Sequence, residues 1–209
     1  MIIDPSQQTY KENYKLMIGS IVPRPIAFVS SLSADGVRNL APFSFFTGIS
    51  TQPPTICFTS SRRASDGCRK DTLNNIEATG EFVVNMVSED IVVPMNECAT
   101  DFSPDVDEFE VAGLTPVASE RVRPPRVGES PISFECKLYQ TLSIGPEGAG
   151  GGTLIIGEIV LFHVRDDLFD ERRRILMERF RPVGRLGGPE YTKIGERFKL
   201  ERKKPPAGG

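Results

Sequence analysis

The sequence predicts a mainly β fold: a barrel or sandwich of antiparallel strands with a few short helices at its periphery. Three observations carry this. The 209 residues include 19 glycines and 17 prolines, a share that implies many turns and short strands. Hydrophobic residues make up 39%, enough for a packed core and too many for a disordered chain. The helical segments do not alternate regularly with the strand segments, which disfavours a doubly wound parallel sheet. The length implies one domain over residues 1–200, followed by a flexible Lys-, Pro- and Gly-rich tail at 201–209.

The elements follow in order. Residues 6–16 form a short amphipathic helix starting at Ser6, with Tyr10, Tyr14 and Met17 on one face. Residues 26–32 are a strand, and Ala34-Asp35-Gly36 is a hairpin turn. Residues 37–49 are a second strand-like segment interrupted by Pro42, and Pro53-Pro54 opens a third at 55–60. These three make an antiparallel meander. A helix follows, with Asp71 as N-cap, Leu73 and Ile76 as its apolar stripe and Gly80 at its C-terminal end. Residues 81–87 return to strand, and a short helix from Ser88 turns Ile91, Val92 and Met95 inward. The acidic stretch 100–110 reads as a solvated surface loop. Long strands at 131–144 and 153–165 flank a glycine-rich loop, and a last helix runs from Asp170 to about Phe180.

Composition excludes several functions. The chain has 25 basic and 28 acidic residues, a net charge of −3 and a pI near 5.4, which argues against nucleic acid or an anionic membrane as partner. A single histidine excludes a zinc site built on several histidines within one chain. Cys57, Cys68, Cys98 and Cys136 form no C-x-x-C pair and read as reduced, with Cys57 and Cys136 in apolar strands. No signal peptide is apparent, and no apolar run approaches the ~20 residues of a membrane span, so a cytoplasmic protein is expected.

The glycine run at 145–152 leads into a strand and has no following lysine, so it reads as a flexible hairpin rather than a phosphate loop. The acidic cluster lacks the glycine of a calcium loop, with Val106 in that place. Two segments are more informative. A strand carrying Asn39, Pro42 and Ser44 is a poor central strand, because proline cannot donate to a ladder. Its free backbone groups suit the edge of a flat heterocycle; the alternative is an edge strand blunted against aggregation. Residues 60–72 gather Arg62, Arg63, Arg69 and Lys70 with hydroxyls between a strand and a helix start. Cations and hydroxyls there are what a phosphate monoester needs. The alternative is a basic surface loop. Asp71 at the helix start would repel an anion, so the phosphate should lie toward Lys70 and the serines.

Six pieces occur in one order: Pro23-Arg24-Pro25-Ile26-Ala27, the run Asn39-Leu40-Ala41-Pro42-Phe43-Ser44-Phe45-Phe46, Lys70-Asp71-Thr72, Thr79-Gly80-Glu81-Phe82-Val83-Val84-Asn85, Asp107-Glu108-Phe109 with Ala112-Gly113-Leu114, and Gly157-Glu158-Ile159-Val160. Together they resemble the flavin reductase-like family with its FMN-binding split barrel. The resemblance implies a homodimer with FMN at or near the dimer interface. The flavin ring would lie against residues 39–46, with Asn39, Ala41, Pro42, Phe43 and Ser44 beside it and Ser30 and Ser31 on the neighbouring strand. Ser60, Arg62, Lys70, Asp71 and Thr72 would surround the phosphate. NADH or NADPH would pass a hydride to the flavin. His163, near the substrate side, and Arg185, in reach of the flavin or a nicotinamide phosphate, are the catalytic candidates. A flavoredoxin-like electron carrier or a non-catalytic flavin-binding module are the alternatives, and an electron-transfer or monooxygenase protein is the further partner that the resemblance suggests.

Overall fold

The computed structural model describes residues 1–203; residues 204–209 of the expected tail lie outside the described residues. Seven strands form one antiparallel sheet: β1 (Ala27–Leu32), β2 (Arg38–Phe43), β3 (Phe46–Thr51), β4 (Pro54–Ser61), β5 (Glu81–Met86), and then, after two short strands β6 (Pro116–Val117) and β7 (Arg126–Val127) that pair with each other, β8 (Ile132–Ile144) and β9 (Gly152–Val164). The order across the sheet is β2-β1-β5-β8-β9-β4-β3. A small ribbon, β10 (Val183–Arg185) with β11 (Tyr191–Lys193), follows.

The expected three-strand meander is replaced by two separate pairings. β1 pairs β2 with Val29 opposite Ala41, and β3 pairs β4 with Phe46 opposite Phe58. β2 and β3 therefore occupy opposite edges, linked only by Ser44 and Phe45. That short link forces the sheet to curl until its edges meet. Phe43 packs on Phe58 of β4 with ring centroids 4.9 Å apart, and the Thr59 amide donates to the Phe45 carbonyl at 2.9 Å.

Helix α1 (Tyr10–Ser20) starts four residues later than the sequence suggests. Pro5 opens a separate single turn capped by Asp4, and the true start is a capping box between Thr9 and Glu12. Helix α2 (Asp71–Thr79) ends at Gly80 as expected, with φ 73° and its amide on the Ile76 carbonyl at 2.8 Å. Helix α3 (Val92–Glu97) buries Met95, with Ile91 buried just before it and Val92 half-buried. Helix α4 (Glu108–Val111) stands where a solvated loop was expected, and both Glu108 and Phe109 are buried. The last helix shrinks to α5 (Met177–Phe180). Its expected first half is a turn, because the Asp170 carboxylate accepts the amides of Arg172 (2.9 Å) and Arg174 (2.8 Å), and Phe169 pairs with Ile175. No helix among the described residues is long and apolar enough to cross a membrane.

The strands' inner faces enclose the main core: Val29, Phe43, Ile56, Phe58, Phe82, Val84, Ile155 and Ile159, with Leu73 and Ile76 of α2 closing one end. Each large side chain so buried contributes about 1.5–3 kcal/mol. A second cluster on the outer face joins Phe28 and Leu40 to Ile91, Met95, Phe109 and Leu114. β1 is thus buried on both faces. All four cysteines are free; Cys136 is fully buried, Cys57 half-buried, and burial pushes both thiols up.

Gly157 is fixed by a close approach. A Cβ there would lie 2.3 Å from Cζ of Phe82, a fully buried ring of the core. Gly157→Ala is therefore expected to cost about 1–3 kcal/mol through overpacking, with part recovered by adding Phe82→Leu. Guanidinium melts of both variants check this; an unchanged single variant would mean that the ring has room to shift.

Candidate functional site

At one end of the barrel the inward-facing residues change from apolar to polar. Along β1, β2 and β4, alternation continues the series Val29, Ala41 and Phe58 with Ser31, Asn39 and Ser60. Helix α2 sets Thr72 and Asn75 over the same end. Asn39 Oδ1 accepts from Thr72 Oγ1 (2.7 Å) and Ser31 Oγ (3.2 Å), and Asn75 Nδ2 donates to Ser31 Oγ (3.2 Å). Asn39 Nδ2 donates to Glu108 Oε1 and the Leu40 amide to Glu108 Oε2, both at 2.9 Å. The structure brings Ser31 and Asn39, expected beside a flavin ring, together with Thr72, expected at a phosphate, and spends their hydrogen bonds on one another. Glu108 is the member that sequence reasoning missed. Its signals were a place beside the apolar Phe109 within an acidic stretch and the Asp107-Glu108-Phe109 piece of the family resemblance. Burial pushes its carboxyl above the ordinary value, although the Leu40 amide and Asn39 oppose this.

The basic turn is largely neutralised. Arg63 pairs with Asp71, Arg69 with Glu77, and Lys70 with Asp101 at 2.9 Å. Among the described residues Arg62 forms no ion pair. Asp71 is not the cap: Lys70 holds the N-cap position of α2 and no side chain caps that end. The Ser60 hydroxyl, on a residue only 2% exposed, is buried without a hydrogen-bond partner. The glycine-rich loop lies against this turn, with the Arg62 amide donating to the Gly151 carbonyl at 3.1 Å.

β2 is an edge strand, as Pro42 suggested. The Leu40 amide points outward to Glu108, so alternation turns the backbone groups of Asn39, Ala41 and Phe43 toward β1. Between Asn39 and Phe43 the groups left facing outward are the carbonyls of Leu40 and Pro42; Ala41 and Phe43 expose none. Ser44, just beyond the strand, accepts from Arg24 Nε at 3.2 Å. Ser30 faces away from this cluster and donates to the Pro125 carbonyl at 2.5 Å.

The two catalytic candidates lie apart from the polar end. His163 Nε2 sits 2.6 Å from Glu135 Oε1. Glu135 is fully buried and also accepts the amides of Glu120 (2.8 Å), Arg121 (2.5 Å) and Val122 (3.2 Å). His163 pairs across the sheet with Ser133, ten residues along β9 from Thr153 opposite Ser60. Arg185 stacks 4.3 Å from the Tyr191 ring centroid and donates to the Gly188 carbonyl at 2.6 Å. It lines a cavity of about 170 Å³ together with Pro42, Phe43 and Ser44, so the structure brings Arg185 to the β2 edge.

The model of the flavin reductase like domain matches residues 18–183. The chain belongs to the flavin reductase-like family. It is similar to nitrilotriacetate monooxygenase component B from Bacillus cereus, at 43% identity and a TM-score of 0.90, covering 96% of this chain and 98% of that one. It is likewise similar to Pseudomonas fluorescens 2-nitrobenzoate 2-nitroreductase, at 37% identity and a TM-score of 0.86 over the whole of both chains. A third likeness is to flavoredoxin of Desulfovibrio vulgaris, at 26% identity and a TM-score of 0.72, covering 86% and 91%. The fold of this flavin reductase-like chain is the antiparallel split barrel that its motifs implied.

Proposed function

We propose that this family member binds FMN between the β2 edge and the basic turn, and acts as an NAD(P)H-dependent flavin reductase. The observation that carries the reading is the spare hydrogen-bonding capacity at the turn: among the described residues, a buried Ser60 hydroxyl without partner and an Arg62 guanidinium in no ion pair, beside the uncapped start of α2. Ser60, Arg62 and the first amides of α2 would hold the phosphate. Lys70 adds charge from the rim, moderated by Asp101. Thr72 and Ser31 serve behind the site, by fixing Asn39 and through it the edge strand. The outward carbonyls of Leu40 and Pro42 offer acceptors to the imide side of a flavin ring. When bound, FMN supplies hydride and electron transfer that no side chain of the protein can perform. Arg185 faces the donor's side of the site. His163 enters only through Glu135, whose carboxylate it helps to hold.

A monooxygenase as recipient of reduced flavin is supported by the name of the Bacillus cereus relative. A homodimer is supported by the apolar residues that α1 and the segment after it leave exposed, among them Tyr14, Leu16, Met17 and Ile21. The test is spectroscopic. Purified protein titrated with FMN is expected to form a yellow complex whose visible absorbance bleaches anaerobically with NADH or NADPH. Absence of FMN binding would refute the reading. A stable complex unbleached by either donor would favour the electron carrier.

A further inference from the structure

Arg24 and Arg185 face each other across a hydrogen-bonded antiparallel bridge, with Arg24 N on Arg185 O at 2.9 Å and Arg185 N on Arg24 O at 2.8 Å. Like charges placed directly opposite repel. Neither has an acidic partner among the described residues. Arg24, 4% exposed, donates only to neutral acceptors: the carbonyls of Ile18 (2.7 Å), Ile21 (3.0 Å) and Leu186 (2.9 Å), and Ser44 Oγ. A buried cation without a counter-ion is costly. Burial, and then the charge of Arg185, lower the Arg24 guanidinium from its ordinary value, against an opposing pull from Tyr14.

Both arginines line the cavity of about 170 Å³ beside β2, and no residue lining it is acidic. Arg185 uses one donor, on Gly188, and leaves the rest of its planar fork available. Asn96 accepts from the Tyr191 hydroxyl at 2.7 Å through Oδ1, which leaves its amide nitrogen as a further donor at the wall. Ile18, Ile26, Met95 and Ala99 supply an apolar part of the wall, and Tyr14 and Ser44 add hydroxyls.

We propose that this cavity is a binding site for a small organic acid, its carboxylate on Arg185 beside the Arg24 charge and its apolar body against Ile26, Met95 and Ala99. An oxyanion supplies the counter-charge that the paired arginines lack, and a planar carboxylate matches the guanidinium fork bidentately. The apolar wall selects an organic acid over inorganic phosphate. The site stands on the protein's own residues and does not require the flavin reading. If flavin does occupy the β2 edge, the acid lies next to it, in the place of an electron acceptor or of an occluding inhibitor.

Calorimetric titration of the full chain with benzoate, benzyl alcohol and inorganic phosphate tests this. Benzoate is expected to bind, with benzyl alcohol and phosphate each at least tenfold weaker. Arg185→Gln is expected to weaken benzoate at least tenfold, Arg185→Lys less, and Ala99→Leu to weaken it by narrowing the cavity. Benzoate binding that is absent, that survives Arg185→Gln unchanged, or that benzyl alcohol or phosphate equals, would overturn the proposal. FMN titration of the same samples reports separately on the flavin reading, so either can fail alone.

Discussion

Replacing Glu135 by leucine is expected to cost about 3–5 kcal/mol of stability, the range for breaking a buried charge cluster by removing one partner. The carboxylate is fully buried and accepts from three successive amides, of Glu120, Arg121 and Val122, and from His163. Leucine fills the space and leaves those donors without an acceptor. Against a typical total of about 5–15 kcal/mol, the loss brings the domain close to unfolding. Glu135→Gln keeps one acceptor oxygen and is the milder variant should leucine prevent folding. Burial acts to raise the Glu135 carboxyl, but the amides of Glu120 and Arg121 and the imidazole of His163 outweigh it and hold it below the ordinary value. With the folded value below the unfolded one, near 4.3, this stabilisation is present above that pH and is lost as the pH falls through the lower, folded value. Urea melts of the parent and both variants, at neutral and acidic pH, check each part. A loss under about 1 kcal/mol for Glu135→Leu would mean that the 120–122 amides find other acceptors.

Arg62→Ala is expected to weaken FMN about ten- to a hundredfold while leaving riboflavin binding unchanged. A charge-assisted hydrogen bond contributes about 1.5–3 kcal/mol, and about 1.4 kcal/mol is a factor of ten. Riboflavin lacks the phosphate, so the ratio of the two affinities isolates that group. Lys70→Ala should move the ratio in the same direction by less, since Asp101 already meets the ammonium. Removing Lys70 and Asp101 together should return the ratio close to the parent's. Fluorescence titrations with both flavins measure this, and equal losses for FMN and riboflavin on Arg62→Ala would remove Arg62 from the phosphate site.

Much of the architecture could be read locally. Gly80 ends α2 because its left-handed φ, which glycine adopts at no steric cost, turns the chain out of the helix, and that preference is visible in one residue. Pro42 marks β2 as an edge because it lacks the donor that a central strand needs. Two misreadings differ in cause. Residues 170–180 have the charge and apolar spacing of a helix, yet the Asp170 side chain competes for the amides that a helix would use. Residues 37–49 read as one strand, but Ser44 and Phe45 carry the chain from one edge of the sheet to the other. The first is decided by turn chemistry within five residues; the second depends on strand partners elsewhere in space.

The site divides in the same way. Residue types and their order were enough to single out 39–46 and 60–72, since hydroxyls, cations and a broken strand are local chemistry. Which of those groups keep spare capacity was decided only by folding. Lys70 met Asp101 from 31 residues away, Asn39 met Glu108 from 69 away, and the Ser60 hydroxyl met no partner among the described residues. The facing of Arg24 and Arg185 likewise joins segments that the sequence keeps far apart. Strand alternation and turn chemistry act over a few residues and are written in the chain; charge balance and hydrogen-bond saturation are sums over neighbours in space, and only the closed barrel defines who those neighbours are.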